Sequence, residues 1–465
     1  MIDRILILLL LVLLLPQLYF DRRKWRRRGI VVRVLSWLPT LAMMVWSVVL
    51  ALERDFTTPD QASENAYILV LGLYFVPKAV YVLCSVVGRL IRKLGRSRNN
   101  WGNLVGLALG VFIAYMVLYG GFIGIRRLNV NHVEIELEKL PRAYDGYKIV
   151  LFSDAHVGSF TGWRKRFLQR DVDSINAQNA DAIVFAGDLM NLRPSELYPV
   201  QDILRQLKAR DGVFSVLGNH DYSDYIDDDP AICAANEREL QSRQRQFGWS
   251  LLMNEWKSVN RGSRREGRLV FAGMENYGMK DGKPRADLKL TLAGVDSADC
   301  VILLQHDPTA WQELILPEAN VPLTLSGHTH GGQLALFGLR ASQIRPVEDY
   351  GLYREGHHQL YVTCGIGALV PFRFGVSPEI AVITLKCPKQ ENRKSSIRKS
   401  SIHKCCSLSS IASISCSSRH LSASWQPSSQ PSPSSSAARS ATATSGAIIL
   451  AAGGRGSSSA CCSYR

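Results

Sequence analysis

Five short segments of the chain carry the residue types that bind divalent metal ions. They read SDAH at 153–156, AGD at 186–188, GNHD at 218–221, a histidine at 306 after VILLQ, and GHTHGGQ at 327–333. Five of the ten histidines fall in these segments. Turns favour Gly, Asn and Asp, but they have no need of repeated histidines. Mixed carboxylate, amide and imidazole groups suit borderline ions such as Mn, Fe or Zn and argue against a thiolate site.

Each of these segments closes an apolar run that predicts a β-strand. The runs are Tyr147–Asp154, Ala182–Asp188, Val213–His220, Val301–His306 and Val321–His328. Continuous apolar runs of this kind are typical of strands that are buried on both faces. Polar residues that follow the ends of such strands stand where α/β folds place their chemistry.

Helical spacing separates the early strands. Leu168, Val172 and Ile175 recur at i, i+4 and i+7, and a second apolar set runs from Val200 to Leu207. Strand, helix and strand in succession predict right-handed crossovers, with helices flanking a sheet. Residues 126–386 are therefore expected to form an α/β domain.

The order of the candidate ligands indicates how two ions would share them. Two ions about 3.5–4 Å apart need a ligand in common, and an aspartate offers two oxygens and a full negative charge. Asp188 lies in the middle of the order and is the natural bridge.

Taken together, the motifs D-x-H, GD, GNHD, H and GHTH resemble those of the calcineurin-like metallophosphoesterase superfamily. More narrowly, the chain resembles its membrane-anchored bacterial phosphohydrolases. The likeness covers residues 140–386, including Gly365–Leu385 with its GIG sequence and Arg373. It implies a four-layer α-β-β-α sandwich and a metal-dependent phosphoric ester hydrolase.

The resemblance also implies a role for each motif residue. His220 would face the substrate and protonate the leaving oxygen, while a metal-activated hydroxide attacks a phosphomonoester or phosphodiester. Asp221 is expected to orient His220, with a turn or cap residue as the equal alternative. Gln333 and Arg373 are candidate substrate contacts. The metal ligands would be Asp154, His156 and His330 for one ion, Asn219, His306 and His328 for the other, and Asp188 for both.

Four apolar stretches precede this domain. They are Ile5–Phe20, Val34–Ala51, Tyr67–Leu90 and Trp101–Gly124. Each is long enough to cross a hydrocarbon core of about 30 Å. Residues 1–125 are therefore predicted to form an all-α transmembrane anchor of about four helices. Lys78 lies within the third stretch, and pairing inside the bundle explains it as well as a functional role does.

The charges of the connecting loops indicate an orientation. Six Lys or Arg crowd residues 22–28 and four crowd residues 92–98, whereas the loop near Glu53–Glu64 is acidic. Because positive loops stay in the cytoplasm, a multi-pass protein of the inner membrane with an extracytoplasmic catalytic domain is expected. Arg126 and Arg127 argue mildly the other way. The domain would face the cytoplasm if the first stretch did not span.

The net charge of +15 is concentrated outside the α/β domain. Nine basic residues and no acidic one follow Glu391, and much of the remaining excess flanks the apolar stretches. No basic stripe interleaved with aromatic residues is present, so no nucleic-acid partner is expected. The Ser-rich tail, residues 387–465, is predicted to be disordered. An out-of-frame translation is the alternative.

Two classes of function remain open. The intact ligand set and His220 favour an enzyme acting on a phosphoester, and tethering to the bilayer makes a lipid-linked or cell-envelope substrate attractive. A catalytically weak metal-binding membrane sensor or scaffold is the alternative. The oligomeric state is not indicated by the sequence.

Overall fold

The computed structural model describes residues 2–53, 55, 61–95, 98–261, 267–278, 285–344 and 348–388. Nearly all of the Ser-rich tail lies outside these residues, so both hypotheses about it stay predictions.

The first part of the chain consists mainly of helices among its described residues, as predicted. Four helical segments are long and apolar enough to cross a membrane: Ile5–Trp25, Ile30–Ala51, Gln61–Lys93 and Gly102–Arg126. The third contains two helices joined by a π-helical turn at Leu71–Phe75. The helices are α1 (Ile2–Phe20), α2 (Ile30–Ala51), α3 (Gln61–Val70), α4 (Val76–Lys93) and α5 (Gly102–Phe122).

Small residues bring α4 and α5 together. A β-carbon on Gly106 would collide with the backbone of Tyr81, and one on Gly102 with the carbonyl of Cys84. Close approach of this kind is how helices associate in lipid. Lys78 is satisfied inside the bundle, because its Nζ donates to Gln17 Oε1 at 2.5 Å and lies 5.2 Å from the centre of the Tyr74 ring.

Residues beyond the helical region form two mixed six-stranded sheets. In the first, four neighbouring strands run parallel, and in the second the four central strands do so. The first sheet has the order β1 (Asn129–Glu136), β14 (Glu379–Lys386), β2 (Lys148–Phe152), β3 (Ala182–Ala186), β4 (Val213–Val216) and β5 (Trp249–Leu251). The second has the order β12 (Gly351–Glu355), β13 (His358–Val362), β9 (Leu323–Ser326), β8 (Cys300–Leu304), β7 (Leu269–Gly273) and β6 (Glu255–Val259). A separate two-stranded ribbon is formed by β10 (Ala335–Leu336) and β11 (Leu339–Arg340).

The two sheets pack face to face through a buried apolar core. Leu151 and Val184 of the first sheet join Leu325 of the second in one cluster, and the rings of Phe214 and Phe271 stack at 4.3 Å. Helices cover both outer faces, which completes the four-layer α-β-β-α sandwich. They are α6 (Lys165–Ala177), α7 (Gln201–Leu204) and α8 (Pro230–Gln246) on the first sheet, and α9 (Leu288–Thr291) and α10 (Leu316–Glu318) on the second.

All five predicted strands are present, and each stops two or more residues before the ligand that follows it. The predicted helix over Leu168–Ile175 is α6, with its apolar side buried. The helix predicted from Val200 to Leu207 is shorter, because α7 makes a single turn and ends at Leu204. Leu207 still packs into the core from the loop that follows α7. Its apolar spacing therefore indicated a buried side chain and not a longer helix.

The last membrane helix contacts the α/β domain directly through the loop 365–378. The backbone N–H of Arg373 donates to the carbonyl of Gly120 at 3.2 Å. The ring of Phe374 lies 5.5 Å from Tyr119 and 6.1 Å from Tyr115. A β-carbon on Gly124 would collide with the carbonyl of Arg373, so a glycine is required there.

Candidate metal centre

The candidate ligands gather where strands of both sheets end. Asp154 and His156 follow β2, Asp188 follows β3, and Asn219 follows β4. His306 follows β8, and His328 and His330 follow β9 in the facing sheet. The site therefore bridges the two layers, and neither sheet could build it alone.

Asp154, His156 and His330 form one cluster, which we call half-site A. Their potential ligand atoms lie within 4.8 Å of one another. Asp154 Oδ1 is 3.5 Å from His330 Nε2, and the rings of His156 and His330 stack with centres 5.1 Å apart. Both Asp154 and His156 are fully buried.

Asn219, His306 and His328 form the second cluster, half-site B. His328 Nδ1 lies 2.9 Å from Asn219 Oδ1 and 3.3 Å from His306 Nε2. The other nitrogen of His306, Nδ1, donates to the carbonyl of Ala186 at 2.7 Å. This bond fixes the tautomer of His306 and turns its Nε2 into the site, as metal-binding histidines require.

Asp188 lies between the two half-sites. Its Oδ2 is 3.1 Å from His306 Nε2 and 3.7 Å from His156 Nε2. Its Oδ1 accepts the backbone N–H of His220 at 2.9 Å. One carboxylate oxygen thus faces both clusters while the other is held by the backbone, which is the geometry expected of a bridging ligand.

The ligand backbone is strained. The angle φ is positive at five of the seven candidate ligands: Asp154 (49°), His156 (44°), Asp188 (62°), His328 (73°) and His330 (52°). Left-handed backbone costs a non-glycine residue about 1–3 kcal/mol and concentrates at functional sites. Backbone bonds between neighbouring ligand loops hold it, as where Asp154 N–H donates to the carbonyl of Gly187 at 2.8 Å.

The electrostatics of the two half-sites differ. In half-site A, burial lowers the pKa of His156 to about 3 and raises that of Asp154 to about 6. In half-site B, burial opposes the charged form of His306, but the negative charge of Asp188 outweighs it and raises the His306 pKa to about 10. The His306 cation in turn keeps the Asp188 pKa well below its usual value despite burial.

The donor set fits divalent cations. The Nε2 atom of His156 is buried and has no hydrogen-bond partner among the described residues. A buried polar atom left unsatisfied is costly and points to a group that completes it. Imidazole, carboxylate and amide donors are those that Mn, Fe or Zn accept.

His220 and Asp221 flank the ligands but differ in their contacts. His220 Nδ1 donates to the carbonyl of Asn191 at 2.7 Å, and its ring meets that of His156 edge to face at 4.9 Å. The Asp221 carboxylate accepts the backbone N–H groups of Asp188 and Leu189, both at 2.9 Å. Asp221 thus holds the turn that carries Asp188, which is the alternative that the sequence left open. Its expected role in orienting His220 stays a prediction.

Two supporting residues, Glu196 and Tyr225, could not be identified from sequence motifs. Glu196 is partly buried and accepts the backbone N–H groups of Asn191, at 2.7 Å, and Leu192, at 2.8 Å, which fixes the loop beside His220. Tyr225 lies against the His220 ring at 4.7 Å, and its hydroxyl accepts from Asn219 Nδ2 at 2.9 Å. Each lies a few residues beyond a motif, and only its contacts distinguish it from an ordinary loop residue.

Arg373 occupies a different place from the substrate contact suggested by sequence. Its side chain is 1% exposed and donates to the carbonyl of His330 at 2.8 Å and to that of Cys364 at 2.7 Å. It therefore positions the backbone of half-site A from behind the ligands. Gln333 is partly exposed and follows His330 in the same tight turn, where its N–H donates to the carbonyl of His330.

Comparison with known proteins indicates the family of the chain. Residues 3–125 match the family model described as a probable calcineurin-like phosphoesterase transmembrane domain, and residues 147–332 match calcineurin-like phosphoesterase. A Danio rerio transmembrane protein with a metallophosphoesterase domain is 32% identical over 334 residues, which cover 68% of this chain and 72% of the relative.

Bacterial relatives extend the same pattern. An uncharacterised metallophosphoesterase of Bacillus subtilis is 30% identical over 64% of this chain and 99% of its own length. Another, from Campylobacter jejuni, is 25% identical over 77% of this chain and 90% of its own length. The motifs, the two-sheet architecture and these matches together show that the chain belongs to the calcineurin-like metallophosphoesterase family, with a transmembrane domain of four helices ahead of the catalytic domain.

Proposed function

We propose that the protein is a membrane-anchored phosphoesterase that uses two divalent cations, Mn, Fe or Zn, to hydrolyse phosphomonoesters or phosphodiesters. The observation that carries the proposal is the position of Asp188 Oδ2 between His156 and His306. A single bridging carboxylate between two sets of donors is what a pair of closely spaced ions requires.

The residues of the chain divide the work of holding the ions. Asp154, His156 and His330 would hold one, and Asn219, His306 and His328 the other, with Asp188 shared. When bound, the two cations make water acidic enough to supply hydroxide near neutral pH and offset the charge of the phosphoryl group. Asp154, His156, Asp188 and His306 are buried, which limits the access of bulk water and strengthens these interactions.

His220 supplies the proton that the leaving oxygen needs. A ring nitrogen of His220 lies within 4.8 Å of ligand atoms of His156 and Asp188, so it stands beside the reacting centre. The Asn191 carbonyl fixes the His220 ring through Nδ1. The Nε2 edge can then act as general acid or as a hydrogen-bond donor to the phosphoryl group.

We also propose a lipid-linked or cell-envelope phosphoester as substrate, and an inner-membrane protein whose catalytic domain lies outside the cytoplasm. Four membrane-spanning candidates and the domain's direct contact with α5 support a site near the bilayer surface. The basic loops at residues 22–28 and 92–98 support the orientation, because such loops remain on the cytoplasmic side.

The test combines metal analysis with hydrolysis by the purified full-length chain. After loading with Mn, Fe or Zn in turn, we expect two ions per chain and hydrolysis of bis(p-nitrophenyl) phosphate. A panel of lipid and soluble phosphoesters then ranks substrates by kcat/KM. Metal bound at full stoichiometry without hydrolysis under any of the three metals would instead support the sensor or scaffold function.

A further inference from the structure

A cluster of arginines and aromatic rings lies where the last membrane helix enters the catalytic domain. The fourth candidate span ends at Arg126, where a bilayer crossed by this span would have its surface. The Arg126 guanidinium lies 5.0 Å from the centre of the Trp163 ring and 5.5 Å from that of Phe167. Trp163 is 48% exposed. An exposed tryptophan near the end of a membrane span is typical of the lipid headgroup region.

Three further guanidiniums surround the same two rings. Arg164 and Arg166 lie 5.7 Å and 5.1 Å from the Trp163 ring, and Arg170 lies 5.5 Å from that of Phe167. We name the group the Trp163 cluster. Its members are Arg126, Trp163, Arg164, Arg166, Phe167 and Arg170.

Most of this positive charge has no counter-charge. Arg170 is paired with Asp171 at 2.5 Å. No carboxylate among the described residues forms an ion pair with Arg126, Arg164 or Arg166. The Nε of Arg164 is also buried without a hydrogen-bond partner in the described part of the chain. Several uncompensated guanidiniums in one place call for an anion with several oxygens.

The cluster is joined to the metal centre by a short loop. Trp163 follows the ligand His156 by seven residues, and Ser159 between them donates to the carbonyl of Ala368 at 2.5 Å. A narrow cavity beside Arg164 is lined by Ile125 at the end of the last span. The cluster thus lies beside the end of the last candidate span and next to the loop after His156.

We propose that the Trp163 cluster binds the phosphate of an anionic phospholipid in the leaflet next to the catalytic domain. A soluble anion would be matched by the arginines alone, but a lipid also accounts for the exposed tryptophan at headgroup level. Basic residues near a membrane surface attract anionic lipids in this way. Binding would hold the loop after His156, and with it the mouth of the metal site, against the bilayer surface. The inference does not depend on hydrolysis.

The first test measures lipid binding by the full-length chain. Delipidated protein is mixed with phosphatidylglycerol and phosphatidylcholine, and bound lipids are counted by native mass spectrometry. We expect the triple variant Arg126→Gln, Arg164→Gln, Arg166→Gln to bind about tenfold less phosphatidylglycerol, since phosphate contacts dominate such binding. Its hydrolysis of a soluble aryl phosphodiester should stay within about twofold of wild type.

A matched control removes three exposed arginines at the opposite, amino-terminal ends of the strands. Arg142→Gln, Arg210→Gln, Arg245→Gln makes the same charge change but leaves the Trp163 cluster intact. It should retain full phosphatidylglycerol binding. Equal loss in both triple variants would show that only total charge matters, and unchanged binding in the cluster variant would overturn the proposal.

A second measurement needs no arginine variant. Brominated lipids quench nearby tryptophans, and the difference between wild type and Trp163→Phe isolates the signal of Trp163. Stronger quenching by brominated phosphatidylglycerol than by brominated phosphatidylcholine is expected. Equal quenching by the two lipids would refute a headgroup preference. Displacement of the lipid by inorganic phosphate would assign the cluster to a soluble anion.

Discussion

The two half-sites of the metal centre each present two imidazoles and one oxygen donor, a carboxylate in half-site A and an amide in half-site B, but they are held in different ways. Half-site B is held close to the strand ends, where His306 bonds to the carbonyl of Ala186 and His328 to Asn219. Half-site A is supported through Arg373, which bonds to the His330 carbonyl and, by its own N–H, to Gly120 of the last membrane helix. Among the described residues, the last membrane helix is thus linked through Arg373 to the support of half-site A.

Charge distinguishes the half-sites as well. The histidines of half-site A have a pKa lowered by burial, so they are neutral and ready to bind a cation. His306 of half-site B has a pKa raised to about 10 by Asp188 and carries a proton near neutral pH when no metal is bound. Metal binding at half-site A thus depends on the support that Arg373 gives to His330. Metal binding at half-site B competes with protonation of His306.

Removing the shared ligand Asp188 should impair metal binding at both half-sites alike. Asp188→Ala deprives both half-sites of Oδ2, so we expect both ions to be lost and kcat/KM to fall by roughly 10³-fold or more. Metal analysis and hydrolysis of an aryl phosphodiester measure the two effects. Asp173→Ala, at an exposed position on α6, is the matched control and should change neither. Full metal content and activity in Asp188→Ala would falsify the bridged site.

Removing the proposed general acid should spare both half-sites. His220→Ala should lower kcat by roughly 10²–10³-fold, since proton transfer is lost, while two ions remain bound. The exposed His357→Ala serves as control. A substrate with a more acidic leaving group should recover part of the lost rate. If all leaving groups were affected equally, His220 would not protonate the leaving oxygen.

Removing the support behind half-site A should separate the half-sites. Arg373→Gln leaves the His330 carbonyl without its donor, and we expect the affinity for one ion to fall by about 10–100-fold while the other is retained. Competition with a chelator, followed ion by ion, measures this. Arg268→Gln breaks an arginine–aspartate pair with Asp299 elsewhere and should leave both affinities intact. Equal weakening of both ions by Arg373→Gln would contradict the asymmetry.

The metal affinities of the two half-sites should respond to pH in different ranges. Because the His306 proton must leave before a metal binds, affinity there should rise about tenfold per pH unit between pH 7 and 9. In half-site A the Asp154 pKa of about 6 predicts weaker binding only as pH falls through 6. Calorimetry in buffers of different ionisation enthalpy counts the protons. Release of no proton on filling half-site B would exclude this competition.

Much of the catalytic domain could be predicted because its signals are local. The continuous apolar runs gave β2, β3, β4, β8 and β9 with the polar residues after them, since a strand buried on both faces needs apolar residues at every position. The helical spacing of Leu168, Val172 and Ile175 predicted α6. By contrast, the helix predicted from Val200 to Leu207 was too long, because apolar spacing reports burial, and a loop can bury Leu207 as well as a helix can.

The sequence by itself determined which residue types are available to bind metal, their order along the chain and the presence of four apolar segments. Only the tertiary structure decided that Asp188 Oδ2 faces both half-sites, because that distance depends on strands from two different sheets. It also decided the left-handed backbone at His156 and His330, which local preference disfavours and which packing of the surrounding loops must impose. The contact between Arg373 and Gly120, some 250 residues apart, likewise appears only when the chain is folded.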